Sequence, residues 1–199
     1  GMLLAGVALM LVGFAFKVAA VPFHAWTPDV YEGAPAPVVA WMAAGVKAAA
    51  FAAMVRVLVV SLGTHASDWT PPVGALAVAS VVIGAVVAVL QTDVRRMLAY
   101  SSIAHAGFLL LGVQASDADG TAAVYAYLVV YALLATGSFA VLTVMGGEGD
   151  HAHHLDDYRG LARRRPVLAG AFTVLLLGQA GVPFTGGFVA KLGVLASAV

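Results

Sequence analysis

Long apolar runs divide this chain, and they constrain its fold more than any other feature. A helix needs about 20 apolar residues to cross a bilayer, and only helices or closed barrels satisfy their backbone in lipid. The strands of a membrane barrel alternate in polarity over about ten residues, whereas these runs do not alternate. The sequence therefore predicts an all-α, polytopic transmembrane bundle of about six helices, the first and last interrupted, over 2–31, 37–62, 73–91, 94–113, 121–145 and 167 onward.

The composition agrees with a membrane location and excludes several kinds of function. Only 10% of the residues are charged, against about 25% in soluble domains. A net charge of zero argues against nucleic acid as a partner, because such proteins carry a basic face. The chain has no cysteine, so it has no disulfide and no cysteine-ligated iron–sulfur cluster. The chain therefore has no evident way to carry electrons, and we expect no redox centre, cofactor or metal in it.

The polar segments set the expected organisation and orientation. We expect a single membrane domain over 1–199, the interior of a longer subunit, with a cytoplasmic loop at 146–166. "TDVRRML" and "DDYRGLARRRP" are rich in arginine and are separated by two helices, so they share one side. The positive-inside rule makes that side the cytoplasm. Parity places "TPDVYEGAPAP" on the same side and the loops "SLGTHASDWTPP" and "QASDADG" on the outer side.

Ionisable residues interrupt the apolar runs and are the candidate functional residues. Lys17, Lys47 and His105 lie near the middle of the first, second and fourth runs, and Lys191 lies in the sixth. Each lysine at a helix centre costs about 2.5–3.5 kcal/mol, so three would forfeit about 8–10 kcal/mol, comparable to the stability of a small domain. A buried lysine can lose and regain a proton as a neighbouring charge changes. The row is therefore a candidate proton path.

Structural roles are the alternatives for these residues. Lys17 and Lys191 could extend to the membrane surface, and His105 could simply bond a neighbouring helix. Lys47 resists this explanation, because about ten apolar residues, or about 15 Å of helix, separate it from either end. The tract "HAHHLDD" offers a weaker alternative, a metal site built from His151, His153, His154, Asp156 and Asp157. Such tracts can bind metal, but a polar loop of this kind is more often a solvated connection.

Two interruptions share a short motif. "AAVPFHAW" and "QAGVPFTGGF" both contain Val-Pro-Phe, and an odd number of crossings gives their spans opposite directions. Inverted-topology repeats with broken helices near a midplane ion site show this kind of symmetry. Proline kinks without further consequence are the alternative. A lysine within ten residues of each break favours the inverted repeat.

Four stretches of the sequence together resemble one family. They are "FKVAAVPFHAWTPDVYEGAPAPV", "KAAAFAAMVRVL", "TDVRRMLAYSSIAHAGFLLLG" and "GVPFTGGFVAKLGVL". In order and spacing they resemble the antiporter-like membrane subunits of respiratory complex I, most of all the N-subunit branch of bacterial NADH:quinone oxidoreductases. The resemblance covers almost the whole chain. It implies that the six helices correspond to helices seven to twelve of a longer antiporter-like fold.

The resemblance also assigns roles by position. Lys17 matches the lysine of the broken seventh helix, Lys47 that of the eighth and Lys191 that of the broken twelfth. His105 lies on the segment that carries a polar residue of the central axis, and His24 matches a histidine after the first break whose role is less defined. The expected partner of Lys17, a glutamate of the fifth helix, lies outside this segment. These residues would form a proton relay.

The implied function is proton translocation within NADH:quinone oxidoreductase, in a multi-pass subunit of the bacterial inner membrane. Its partners would be the other membrane subunits, while NAD, FMN, quinone and iron–sulfur clusters would act elsewhere in the complex. One alternative is a subunit of a multi-subunit cation/proton antiporter or of a membrane-bound hydrogenase on the same scaffold. The other is a non-transporting scaffold subunit, which predicts that the lysines are dispensable.

Overall fold

A computed structural model describes residues 2–147 and 153–198, and these residues are almost entirely helical. Two segments, at Met42–Val46 and Arg56–Ser61, are π-helical, and two short 3₁₀ turns lie at Gly63–His65 and Leu155–Tyr158. The helices in chain order are α1 (Met2–Val18), α2 (Trp26–Gly33), α3 (Ala36–Ser61), α4 (Ala66–Val89), α5 (Val94–Gln114), α6 (Ala118–Gly146), α7 (Leu161–Arg164), α8 (Pro166–Ala180) and α9 (Gly186–Ser197).

The predicted fold class is confirmed. Helices α3 to α6 are each long and apolar enough to cross a membrane. The first predicted span is divided into α1 and α2, and the last into α8 and α9, so both predicted interruptions are real breaks in the backbone. Most helix ends lie within a few residues of the predicted ones.

The start of α4 is the main correction to the sequence prediction. The segment "SLGTHASDWTPP" was expected to be an outer loop, but α4 begins at Ala66 and includes Pro71 and Pro72. The indole of Trp69 is fully buried and donates a hydrogen bond to the carbonyl of Leu62 at 3.0 Å. Each proline removes one hydrogen bond close to the beginning of the helix, where the chain is exposed. The buried indole therefore attaches the first turns of α4 to the chain that follows α3, and the helix begins inside a sequence typical of a loop.

Helix α5 lies at the centre of the bundle and is the most buried of the four long helices. Small residues bring α4 and α5 into close contact. A β-carbon on Gly84 would lie 2.6 Å from the backbone nitrogen of Ala104, and one on Gly107 would lie 2.7 Å from the carbonyl oxygen of Ala77. This close packing fixes the rotation of α5, whose polar side chains form the candidate site.

Three polar segments meet on one side of the bundle, as the predicted topology requires. Arg96 pairs with Asp29 at 2.8 Å and with Glu32 at 2.6 Å. The backbone of Leu155 donates to the carbonyl of Thr92 at 3.0 Å. The segments around 29–32, 92–96 and 153–165 therefore share one face, and the Arg96 pairs hold α2 against α5. That this face is cytoplasmic stays a prediction.

The histidine-rich tract lies partly outside the described residues. The loop predicted at 146–166 includes 148–152, which the structure does not describe, and His151 is among them. Nearby, the backbone of His154 donates to the carboxylate of Asp157 at 2.9 Å. Within 2–147 and 153–198, no group of three histidine or acidic side chains is arranged to hold a metal ion.

Candidate functional site

Lys47 lies inside the bundle, directly after the π-helical turn of α3. Its side chain is only 4% exposed. The Nζ atom donates to the carbonyl oxygen of Ser102 at 2.7 Å and to the Ser102 hydroxyl at 2.5 Å. Among the described residues, no carboxylate forms an ion pair with it. The ammonium group is therefore stabilised by the oxygens of a single residue on α5.

Ser102 connects Lys47 to two tyrosines. The phenol of Tyr131 donates to the Ser102 hydroxyl at 2.9 Å, and the phenol of Tyr31 lies 3.4 Å from the same oxygen. A serine hydroxyl can accept two hydrogen bonds and donate one. Lys47 and Tyr131 fill both acceptor positions, which leaves the Ser102 proton for the Tyr31 oxygen. Ser102 therefore links Lys47 to both tyrosines through one hydroxyl group.

His105 lies one turn after Ser102 on α5 and is also buried. Its Nδ1 atom lies 2.7 Å from the phenol oxygen of Tyr127. Its ring centroid is 4.9 Å from that of Tyr131, and the Lys47 Nζ atom is 5.5 Å from the centroid of that same ring. Tyr131 therefore lies between the lysine and the histidine.

A cavity of about 420 Å³ extends from His105 to Lys191. Ser101, Gln179 and Phe108 also line it. The Ser101 hydroxyl donates to the side-chain oxygen of Gln179 at 3.3 Å. The rest of its lining is apolar. The cavity therefore brings His105 and Lys191 to one space, with Ser101 and Gln179 as its other polar side chains.

The second helix break forms the binding site for the Lys191 ammonium group. Its Nζ atom donates to the carbonyl oxygens of Gln179 and Ala180, each at 2.9 Å. These carbonyls belong to the last turn of α8, where the helix leaves acceptors unpaired and carries partial negative charge. The ammonium group also lies 5.1 Å from the ring of Phe108.

Lys17 has a more open position than the sequence predicts. It lies in the last turn of α1, and its side chain is exposed in this chain. It also lines a small cavity of about 20 Å³ together with Lys47, Thr27 and Tyr31. The first break therefore brings the two lysines to one cavity without enclosing Lys17.

His24 is not part of this network. It is half-buried in the first break, and its ring lies 6.4 Å from that of Tyr100 in an edge-on arrangement. Its buried Nδ1 atom has no hydrogen-bond partner among the described residues. The structure therefore places His24 beside the break but apart from the Lys47 and His105 cluster.

Sequence reasoning missed the neutral polar residues that join the charged ones. Ser102 and His105 are three residues apart on α5, and Tyr127 and Tyr131 are four apart on α6, so each pair shares one helix face. That spacing was a usable signal, because polar side chains on one face of an apolar helix point into the bundle. The same signal would not have identified Gln179, whose amide nitrogen donates to the Ser138 hydroxyl at 2.7 Å.

Comparisons with known proteins agree with this geometry. The chain is 50% identical to NADH-quinone oxidoreductase subunit N 3 of Streptomyces griseus, over 99% of this chain and 36% of that relative. Among solved structures, a chain of respiratory complex I from Thermus thermophilus with bound aureothin has a TM-score of 0.79 and 39% identity, over 96% of this chain and 41% of that one. A chain of the Mrp complex from Dietzia sp. has a TM-score of 0.88 and 27% identity, over 96% of this chain and 35% of that one.

These relatives are longer than this chain, which spans well under half of each. The bacterial relatives and the four long apolar helices confirm the predicted localisation as a multi-pass protein of the bacterial inner membrane. The model of the family described as "NADH:quinone oxidoreductase/Mrp antiporter, TM" matches residues 1–199. The chain therefore belongs to this family of antiporter-like membrane subunits, as its sequence motifs predict.

Proposed function

We propose that this chain is the part of an N-type subunit of NADH:quinone oxidoreductase that conducts protons across the membrane. It would correspond to helices seven to twelve of the whole subunit. The other membrane subunits would be its partners, and NAD, FMN, quinone and the iron–sulfur clusters would act elsewhere in the complex. The chain would then serve as one subunit of a proton translocase.

One observation carries the proposal: the polar groups form a nearly continuous line through an apolar bundle. Lys47 bonds Ser102, Ser102 bonds Tyr131, and the Tyr131 ring contacts that of His105. The large cavity continues this line to Lys191. Burying so many polar groups in a membrane span is costly and is typical of proton pathways.

The proposed mechanism couples charge changes along this line. Quinone reduction elsewhere in the complex would change the charge of one buried group. Each lysine would release a proton when its neighbour becomes cationic, because charges interact over longer distances in a low dielectric than in water. The hydrogen bonds at Ser102 and the His105 imidazole would carry the proton between Lys47 and the cavity. The two breaks would give access to the two sides of the membrane.

A cation/proton antiporter is the second candidate, because a chain of an Mrp complex shares this fold. The TM-score with the Mrp chain, 0.88, exceeds that with the complex I chain, 0.79. Identity points the other way, at 27% against 39%. We give the identity more weight, because both complexes share the scaffold and shape alone does not separate them. An antiporter would exchange protons for another cation without NADH oxidation.

The decisive experiment is Lys47→Ala in the full-length parent subunit within its complex. Proton pumping and NADH oxidation are measured together in membrane vesicles, and subunit content verifies assembly. We expect assembled complexes to lose pumping, because the polar path from Ser102 to His105 would lose Lys47, the proton donor at its beginning. Arg56→Ala is the matched control, since Arg56 lies on the same helix, is exposed and lies outside the network.

Two results would contradict the proposal. Normal pumping and oxidation in Lys47→Ala would favour the scaffold alternative, because a scaffold does not require this lysine. Cation/proton exchange in wild-type vesicles without NADH, lost in Lys47→Ala, would favour the antiporter.

A further inference from the structure

A small cavity lies between the first helix break and Lys47. Its volume is about 20 Å³, and its polar lining comes from Lys17, Thr27, Tyr31 and Lys47. A cavity holds one water when it offers at least about 10–15 Å³ and two to four polar partners. This cavity meets both conditions, so its dimensions suit a single water molecule.

Thr27 provides an independent sign that a ligand belongs there. Its side chain is 1% exposed, and its Oγ1 atom has no hydrogen-bond partner among the described residues. Its backbone N–H is satisfied, because it donates to the carbonyl of His24 at 2.9 Å. Nearly all buried hydroxyl groups in proteins are hydrogen-bonded to protein or to ordered water. The Thr27 hydroxyl is therefore a buried group suited to bind a water in the cavity that it lines.

The hydrogen bonds of Lys47 leave one donor for the same cavity. An ammonium group has three N–H donors, and two of them point to the carbonyl and hydroxyl oxygens of Ser102. Lys47 also lines the cavity, and Ser102 does not use its third donor position, so this is the position at which a molecule inside the cavity would bind. Tyr31, four residues after Thr27 on the same face of α2, forms another part of the wall.

We propose that Thr27 holds a single water in this cavity and that this water joins the Lys17 and Lys47 amines. This inference rests on the proposed function. The Lys17 ammonium would give one proton to the water oxygen while the water gives a different proton to the neutral Lys47 amine. The water is regenerated, one proton moves from Lys17 to Lys47, and no other reactant is needed. Thr27 is a positioning residue, because it holds the water and does not itself exchange the transferred proton.

The test compares two substitutions at Thr27 in the full-length parent subunit within its assembled complex. Thr27→Val keeps the shape of the side chain and removes the hydroxyl, while Thr27→Ser keeps the hydroxyl. We expect Thr27→Val to lower the rate of coupled proton pumping by up to about tenfold, the factor that one hydrogen bond can be worth. Thr27→Ser should pump at close to the wild-type rate.

A matched control and a third variant make the result specific. Thr143→Val makes the same chemical change on α6, where the hydroxyl only bonds the Phe139 carbonyl of its own helix at 2.8 Å, and it should pump normally. Normal pumping in Thr27→Val would overturn the inference, as would an equal loss in Thr27→Ser. Lys47→Ala separates the two proposals: if it abolishes pumping while Thr27→Val does not, the water site fails and the relay stands.

A direct observation covers the case in which Thr27→Val fails to assemble. Electron cryo-microscopy of the wild-type complex, at a resolution that shows ordered waters, should reveal one density peak within hydrogen-bond distance of both Thr27 Oγ1 and Lys47 Nζ. A well-ordered map without such a peak would overturn the inference.

Discussion

The two helix breaks contain the same three letters, Val-Pro-Phe, but differ in their surroundings. The first break is inside the bundle, where Val21 is 6% exposed, whereas Val182 of the second break is 39% exposed. The backbone of the first break therefore needs hydrogen-bond partners on neighbouring helices. The backbone of the second break can find such partners within its own helix or in molecules outside the chain.

Hydrogen bonding of the two valines follows this difference. The backbone N–H of Val21 donates to the Ser80 hydroxyl on α4 at 2.9 Å. The backbone N–H of Val182 donates to the carbonyl of Leu177, on its own helix, at 3.1 Å. The first break is thus stabilised by tertiary contact, and the second by a helix-ending turn of the usual kind.

The lysines differ in the same way. Lys17 precedes the first break, while Lys191 follows the second and folds back to the carbonyls at the end of α8. The shared motif therefore marks a place where the helix ends, and the residues around it decide whether that end binds a cation. This comparison predicts that substitutions at the two breaks will have different consequences.

Gly187→Ala should have the largest effect, because the second break requires close contact between α8 and α9. A β-carbon at this position would overlap the carbonyl oxygen of Gly178, so the backbone of one helix would have to move. We expect little or no assembled complex, measured as subunit content on native gels of membranes. Gly186→Ala is the matched control, since its β-carbon would make only an ordinary contact with Val130 at 3.4 Å. Equal assembly of both variants would show that the two helix halves are not packed this closely.

Much of this architecture follows from the sequence, and the remainder depends on helix rotation. The apolar runs predict the helices, and the prolines and lysines predict the breaks, because these are local properties of the chain. The hydrogen-bond partners of Lys47, in contrast, are distant in the sequence. Ser102 lies 55 residues later, and Tyr131 lies 29 residues after Ser102. Which face of α5 meets α3 is decided by packing at glycines such as Gly107. No periodicity within a single helix specifies that contact.

Ser80→Ala should destabilise the first break. At the second break a backbone acceptor takes the place of the Ser80 hydroxyl, because the Val182 N–H donates to the Leu177 carbonyl. Without the hydroxyl, the N–H of Val21 would be buried and unpaired, which costs about 1–3 kcal/mol. A denaturing-detergent titration of the full-length parent subunit would measure this as a lower free energy of unfolding. Ser61→Ala removes an exposed serine that only bonds the Arg56 carbonyl on its own helix, and it should change stability by less than about 0.5 kcal/mol. A loss in Ser80→Ala no larger than in Ser61→Ala would contradict the tertiary character of the first break.

Gly181→Ala tests the turn that ends α8. Gly181 has a φ of +79°, a left-handed conformation that costs other residues about 1–2 kcal/mol. The new β-carbon would also lie 2.8 Å from the Cδ atom of Lys191, so we expect both a loss of stability and slower pumping. Gly170→Ala, on the same helix with open space around it, should leave pumping unchanged and be neutral or slightly stabilising. Normal pumping in Gly181→Ala would show that the turn does not position Lys191.

Ala19→Gly should have the smallest effect and the opposite sign. Ala19, just after the end of α1, has a φ of +61°. This is the left-handed conformation that Gly181 has at the second break. Glycine would relieve the strain, but it also gains freedom in the unfolded chain, so we expect the free energy of unfolding to rise by no more than about 1 kcal/mol. Ala20→Gly, at the next position and fully buried without a positive φ, should lower it by about 0.5–1 kcal/mol. Opposite signs at adjacent alanines would show that α1 ends in a strained turn held by the bundle, whereas equal losses would show that Ala19 is not in the left-handed conformation in the membrane.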